Sequence, residues 1–296
     1  MKTRPEGLKQ FMIGPRQWAR ALRPDGCPKK FMMPVPMGWA KLSPCIRPTQ
    51  SSMVMEPVEK APAVVDQPQS TVIRFLAGAI CATPKDVVRY LAGSRYKEDA
   101  RLNLLLPAAI DQAIHLAFPV LIYALHRVKA LDNRGRLILE NGLCLEVPEA
   151  ERDPDTRYLA SCVCSLGAAL EDTCRRLTRQ GQLLQAMVLD AAGVGFLDGL
   201  VNKSHEQLRQ RAWEMALFAG CPFGPGYEDM PLETQSLLFQ LVDAAAIQVK
   251  LNEGLVMQPM KSLSFFLRLG ARENPGGSIP KCRRCHLKHC QFRVEG

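Results

Sequence analysis

Eleven of the chain's 22 prolines fall before residue 69, spread from Pro5 to Pro68. Each fixes one backbone torsion and removes one amide donor, so no helix or strand of ordinary length fits between them. Methionines and bulky apolar residues are scattered through the same stretch without a period. Residues 1–69 therefore read as a flexible or loosely packed basic extension, with Trp18, Phe31 and Trp39 available for docking on a partner. The ordered fold has to be built from Thr71 onward.

From there the texture changes. The spacing predicts a strand over Val72–Ala82 and then a helix over Asp86–Leu91. Thr83 is its N-cap and Pro84 its first helical residue. A second helix is expected over Pro107–Phe118 and a strand over Val120–Val128. Arg136–Leu139 and Leu143–Val147 flank Glu140-Asn141-Gly142, where Asn-Gly offers the positive backbone angles of a tight hairpin. Tyr158–Leu166 reads as a strand with Cys162 and Cys164 on one face, as small buried hydrophobes rather than ligands.

Two helices follow, over Ala168–Arg179 and Gln182–Trp213. Met187, Ala191, Val194, Leu197, Val201 and Leu208 mark a core stripe on the longer one. Asp198, Asn202 and His205 form a polar ridge beside that stripe. Gly193-Val194-Gly195 looks like part of a dinucleotide loop, but it sits inside the helical pattern and not after a strand. Gly224-Pro225-Gly226-Tyr227 is a loop, Pro231 opens a helix to Ala244, and Ile247–Leu251 and Leu263–Leu269 read as strands. Strands and helices without strict alternation imply an α+β fold, with helices packed on an antiparallel sheet.

Composition narrows the class. The chain has 296 residues, eleven cysteines and a formal net charge of +9, much of it near the two ends. The N-terminus is basic but lacks a continuous apolar core of the secretory type. The longest apolar candidate, Leu104–Val128, is broken by Asp111, His115 and His126. The reading is a cytoplasmic chain with free or metal-bound thiols and no membrane partner. The basic balance favours an acidic protein, an anionic cofactor or a nucleic acid.

The C-terminal tail carries the densest chemistry. Cys282, Cys285, His286, His289 and Cys290 fall within nine residues. A Cys-x2-Cys pair lets two thiolates reach one ion from a single turn, and Cys290 adds a third. His286 or His289 would complete a zinc site. A distant thiol such as Cys221 would complete four thiolates for an iron–sulfur cluster. The domain plan is thus an extension (1–69), an α+β domain (70–272) and a metal-binding tail (273–296).

The order of features is more specific than any one of them. A long helix with Asp198 and His205-Glu206 precedes Pro225-Gly226-Tyr227. Then come a helix opened by Pro231-Leu-Glu, the run Leu251-Asn-Glu253 to Pro259, Lys261-Ser262-Leu-Ser264, and the cysteine-rich end. This succession resembles the activation (reactivation) domain of vitamin B12-dependent methionine synthase, in its stand-alone form. The likeness covers residues 71–293 and is most specific from Gly220 onward.

The resemblance implies a curved antiparallel sheet surrounded by helices, a groove for S-adenosylmethionine, and a corrinoid (cobalamin) carried by a partner protein or methyltransferase. The implied activity is reductive methylation: an electron from a flavodoxin- or ferredoxin-like donor is coupled to methyl transfer, restoring an inert cobalt(II). It assigns Asp198, Pro225, Gly226, Tyr227 and Glu253 to S-adenosylmethionine, and Lys261 and Ser262 to the corrinoid side, with no catalytic acid or base. A tail cluster would relay the electron. No Asp-x-His-x-x-Gly run is present, so the corrinoid belongs to the partner. Pro222 stands where the family's loop carries an arginine, which takes the ligand-carboxylate clamp out of the loop. Two other functions fit the same residues: a non-catalytic binding module of this fold, and a basic metal-knuckle protein that binds nucleic acid.

Overall fold

The computed structural model describes residues 69–80, 82–93, 100–227 and 230–273, together with Cys290 and Phe292. The proline-rich extension up to residue 68 lies outside the described residues, as do Cys282, Cys285, His286 and His289 of the tail.

Nine strands and five α-helices are present among the described residues. The main sheet is antiparallel, in the order β4-β3-β2-β5-β9-β6. These strands are β2 (Val120–Leu131), β3 (Arg136–Leu139), β4 (Cys144–Glu146), β5 (Thr156–Ser165), β6 (Phe218–Ala219) and β9 (Ser262–Gly270). β1 (Thr71–Arg74) pairs with residues 120–123 at the start of β2, and β3 pairs with its far end across a register shift between Val128 and Ala130. β5 is the centre of the sheet, with long antiparallel ladders to β2 and β9. β7 (Lys250–Leu251) and β8 (Met257–Gln258) form a separate small hairpin. The result is a curved half-barrel sheet packed with helices, an α+β fold.

Alternation along the central strands divides the interior into two cores. Leu121, Tyr123, Ala160, Cys162, Cys164, Phe265, Leu267 and Leu269 face α1 (Pro84–Ala92), α2 (Ala100–Leu116), α3 (Ala169–Arg179) and α4 (Leu183–Glu214). Ile122, Ala124, Leu159, Val163 and Phe266 face the other way. There they meet Leu137, Leu139 and Leu145 from the β3–β4 hairpin and Leu238 and Leu241 from α5 (Thr234–Leu241). Each fully buried leucine or phenylalanine contributes about 1.5–3 kcal/mol relative to exposure. Cys162 and Cys164 are fully buried among apolar neighbours, as their shared face predicts.

Local chemistry explains the element ends. Thr83 caps α1 in a reciprocal box: its hydroxyl accepts from the Asp86 amide at 3.2 Å, and the Asp86 carboxylate accepts from the Thr83 amide at 3.0 Å. The hairpin turn differs from a two-residue Asn-Gly turn. Leu139 N–H donates to Leu143 across three residues, and only Gly142 is left-handed, at φ +86°. The Asn141 side chain accepts from the Leu143 amide at 3.1 Å instead.

Other boundaries shift. The strand expected over Val72–Ala82 ends at Arg74 and gives way to a 3-10 turn over Ala77–Ala79. α2 begins at Ala100 and runs through Pro107. α5 stops at Leu241, and Ile247 closes a further 3-10 turn, Ala244–Ile247, before the short β7. α4 is also buried around more of its circumference than one stripe requires. Phe196, Leu200, Ala192 and Leu189 join the expected Ala191, Leu197, Val201 and Leu208, because α1, α2 and α3 all pack on it. It is the one described helix long and apolar enough to span a membrane, and most of that apolar stretch is buried in the fold.

Candidate functional site

α4 and the outer edge of β9 carry the predicted residues. After α4 the chain returns along β9, first as β6, then through a Gly220 N–H bond of 2.8 Å to the Arg268 carbonyl, then as a bridge between Phe223 and Phe266. At Gly224 the two backbones nearly touch: a Cβ there would lie 2.8 Å from the Ser264 carbonyl oxygen. Gly226 takes φ +79°, its amide donates to Met230, and the Tyr227 amide donates to Gly224. The Pro225-Gly226-Tyr227 bend is thereby fixed beside β9.

Tyr227 is 43 % exposed. Desolvation, then the charge of Asp198 and that of Cys164, raise its phenol pKa above the ordinary value. Asp198 projects from the middle of α4 toward the last turn of α1. One of its oxygens, Oδ2, accepts from Tyr90 Oη at 2.5 Å and from Arg89 Nη2 at 3.2 Å. The Arg89 guanidinium lies 4.7 Å from the centroid of the Tyr90 ring. Burial, then the neighbouring carboxylate, drives the Tyr90 pKa well up, so its hydroxyl keeps its proton as a donor. Phe292 rests against Tyr90 with ring centroids 5.7 Å apart, and the Phe292 amide donates to the Cys290 sulfur at 3.4 Å.

The rest of the expected polar ridge splits. His205 places Nε2 2.9 Å from the Gly220 carbonyl oxygen, and Asn202 is exposed. Gly193 and Gly195 belong to helix packing: the Lys261 side chain lies over Gly193, and Ala82, Asp86 and Val87 face Gly195. Neither contributes to a nucleotide loop.

Lys261 and Ser262 sit at the start of β9. Lys261 is buried and pairs with Asp190 on α4 at 2.6 Å. Ser262 Oγ donates to Ser165 Oγ at 2.8 Å. Glu253 is exposed at the tip of the β7–β8 hairpin and lines an open recess formed by that hairpin, with Lys250, Asn252 and Gln258. The structure therefore joins Asp198 to Arg89 and Tyr90 and fixes the bend that carries Tyr227 beside β9. It ties Lys261 to α4 and leaves Glu253 on its own hairpin. Cys221 is buried, and no cluster of metal-ligating side chains occurs among the described residues.

Arg89 and Tyr90 are the site residues that sequence reasoning missed. They precede Asp198 by more than a hundred positions, and no local motif marks them. Only the packing of α1 across α4 brings the three together.

A curved antiparallel half-barrel sheet with α1–α4 over one face and α5 on the other is the class of fold this chain adopts. Thirteen chains of solved structures match it. Among them is a crystal structure of the MetH reactivation domain bound to AdoHcy, which is similar with a TM-score of 0.53 and 13 % sequence identity, over 70 % of this chain and 80 % of that one. At that identity the likeness is one of fold. No protein-family model matches the chain, and no curated protein does.

Proposed function

We propose that the chain binds S-adenosylmethionine beside α4 and the Pro225-Gly226-Tyr227 bend, and presents its methyl group to a corrinoid held by a partner protein. The observation that carries this reading is the similarity of the fold to that of the MetH reactivation domain bound to AdoHcy, with the exposed Tyr227 on a bend fixed beside β9 and the Asp198 carboxylate on α4 as the candidate contacts. The ligand has two positive centres, an ammonium and a sulfonium. A carboxylate and an aromatic face are the groups that suit such cations. When bound, the ligand supplies an electrophilic methyl, whose transfer draws forward an otherwise unfavourable one-electron reduction of cobalt(II).

The chain's own part is positioning. The bend is held to β9 by its backbone, and Asp198 is held by Tyr90 and Arg89. Holding two reactants in a reactive geometry is worth several kcal/mol without any acid or base. The electron would come from a flavodoxin- or ferredoxin-like donor, with Cys282, Cys285 and Cys290 holding zinc or an iron–sulfur cluster in the tail. Glu253, Lys261 and Ser262 remain assigned to the ligand and corrinoid sides by the resemblance alone.

The test is to mix the protein with a cobalt(II) corrinoid protein, a low-potential reductant and S-adenosylmethionine, and to follow the methylcobalt absorbance. A rate above the protein-free control is expected; equal rates remove the proposal. A non-catalytic binding module is the second reading, favoured by Pro222 in the loop and by the internal partners of Asp198. It predicts no heat on titration with S-adenosylmethionine.

A further inference from the structure

We propose that an open recess beside the C-terminus of α4 binds a small aromatic anion, a flat ring system that carries one carboxylate, sulfonate or phosphate. The recess has a volume of about 520 Å³, and Arg127, Glu140, Arg157, Tyr158, Met215 and Leu217 line it. It is independent of the S-adenosylmethionine reading. Asp198 lies about 24 Å along the helix axis before the end of α4 at Glu214.

Regular secondary structure would not make this recess. Arg127 and Tyr158 are direct cross-strand partners of β2 and β5, with the guanidinium 5.5 Å from the ring centroid. Simple alternation would turn Arg157 away from its neighbour Tyr158. Here the β5–β9 register shifts between Thr156 and Tyr158, which leaves Arg157 as the extra residue of a bulge, and it lines the same recess. Bulges re-aim single side chains in this way and are common beside functional sites. The opposite wall is also built against local preference. Ala216 takes a left-handed φ of +56° between Met215 and Leu217, a conformation costly for a residue with a Cβ. The Met215 and Leu217 amides both donate to the Ala212 carbonyl, which fixes the wall to α4.

The charges select the ligand. Arg127 and Arg157 are exposed and make no ion pair among the described residues, nor does Glu140, so the recess carries one net positive charge. Two guanidinium groups offer planar N–H forks to an anion. Tyr158, Met215 and Leu217 offer a π face and polarizable apolar contact to a flat ring. A cation would be repelled, and a small inorganic anion would leave the apolar wall unused.

The experiment titrates the full chain with the fluorescent anion 8-anilinonaphthalene-1-sulfonate and with its uncharged relative N-phenyl-1-naphthylamine, for wild type, Arg127→Gln, Arg157→Gln and Arg157→Lys. Wild type is expected to bind the sulfonate saturably and at least about 10-fold tighter than the neutral probe, the size of one charged hydrogen-bonded contact. Each Gln variant should lose about 10-fold for the sulfonate and nothing for the neutral probe. Arg157→Lys should keep part of the preference, since it retains charge without the fork, and it serves should a Gln variant fail to fold. Competition with 2-naphthoate and with AMP then tells carboxylate from phosphate ligands, and displacement by neither overturns the inference. Equal wild-type affinity for the two probes overturns it, as does sulfonate binding that no arginine variant changes. Inorganic phosphate that competes as well as AMP does the same, because the apolar wall would then play no part. Each of these results leaves the proposed S-adenosylmethionine function standing.

Discussion

His205 on α4 lies 2.9 Å through Nε2 from the carbonyl oxygen of Gly220, just before the chain enters the bend that carries Tyr227. A carbonyl only accepts, so Nε2 carries the proton. This bond ties the approach of the loop to the same helix that carries Asp198. His205→Ala is expected to lower stability by about 1 kcal/mol. Amide exchange in residues 220–227 should quicken while β5 is unaffected, as hydrogen-exchange mass spectrometry would record.

Gly224 has no room for a side chain. The atoms a Cβ would meet, Ser264 O at 2.8 Å and Phe265 Cα at 3.3 Å, are backbone and cannot step aside. Gly224→Ala should therefore lift the bend off β9, destabilise the fold by about 1–3 kcal/mol and weaken S-adenosylmethionine binding. Gly226→Ala meets ordinary contacts, with only its φ of +79° opposing it, and should cost about 1 kcal/mol. Chemical denaturation of the two variants, side by side, checks the order.

Arg268 is buried, 2.8 Å from Asp153 and 3.4 Å from the fully buried Glu151. Its stem also fills the space beside Gly220, where the returning chain passes. Arg268→Met removes a buried cation shared by Glu151 and Asp153 and should destabilise by about 3–5 kcal/mol. Adding Glu151→Gln should recover part of that loss. A double-mutant cycle in urea measures both.

His126 is buried against α5, with Nε2 2.9 Å from the Leu241 carbonyl oxygen. Burial holds its pKa below the ordinary 6.5, although the bond to Leu241 opposes the shift. A lowered folded pKa means the unfolded chain takes up the proton first. The stability due to neutral His126 is therefore complete above pH 6.5 and lost as the pH falls from there toward the folded value. Melting curves between pH 7.5 and 5.5 should show this loss in wild type, with a shallower slope in His126→Asn.

The parts of the fold readable in advance were those decided within a few residues. Thr83-Pro84 marks the start of α1 because the cap and the proline act locally. Gly142 marks the β3–β4 turn, and the alternation around Cys162 and Cys164 gives their common face. Strand order was not readable: β9 enters beside β5, about a hundred residues away in sequence, and neither strand carries a mark of its partner. The site divides in the same way. Asp198 and Tyr227 stand out through helix and loop patterns, whereas Arg89 and Tyr90 sit on a short amphipathic helix whose outward chemistry becomes relevant only once α1 lies on α4. Glu253 follows the resemblance, but its hairpin is anchored elsewhere, by Gln235 bonding the Leu255 carbonyl.

The run from Phe218 to Gly224 has a consequence for how the molecule meets its neighbours. It covers the outer margin of β9 from Gly270 to Ser264 with backbone contacts, yet only its first two residues form a regular strand. At the opposite margin, β4 is three residues long. Neither border offers a long, unpaired row of amides for a foreign strand to join. The segment that leads into the proposed ligand-holding bend thus also guards the protein against association by sheet extension.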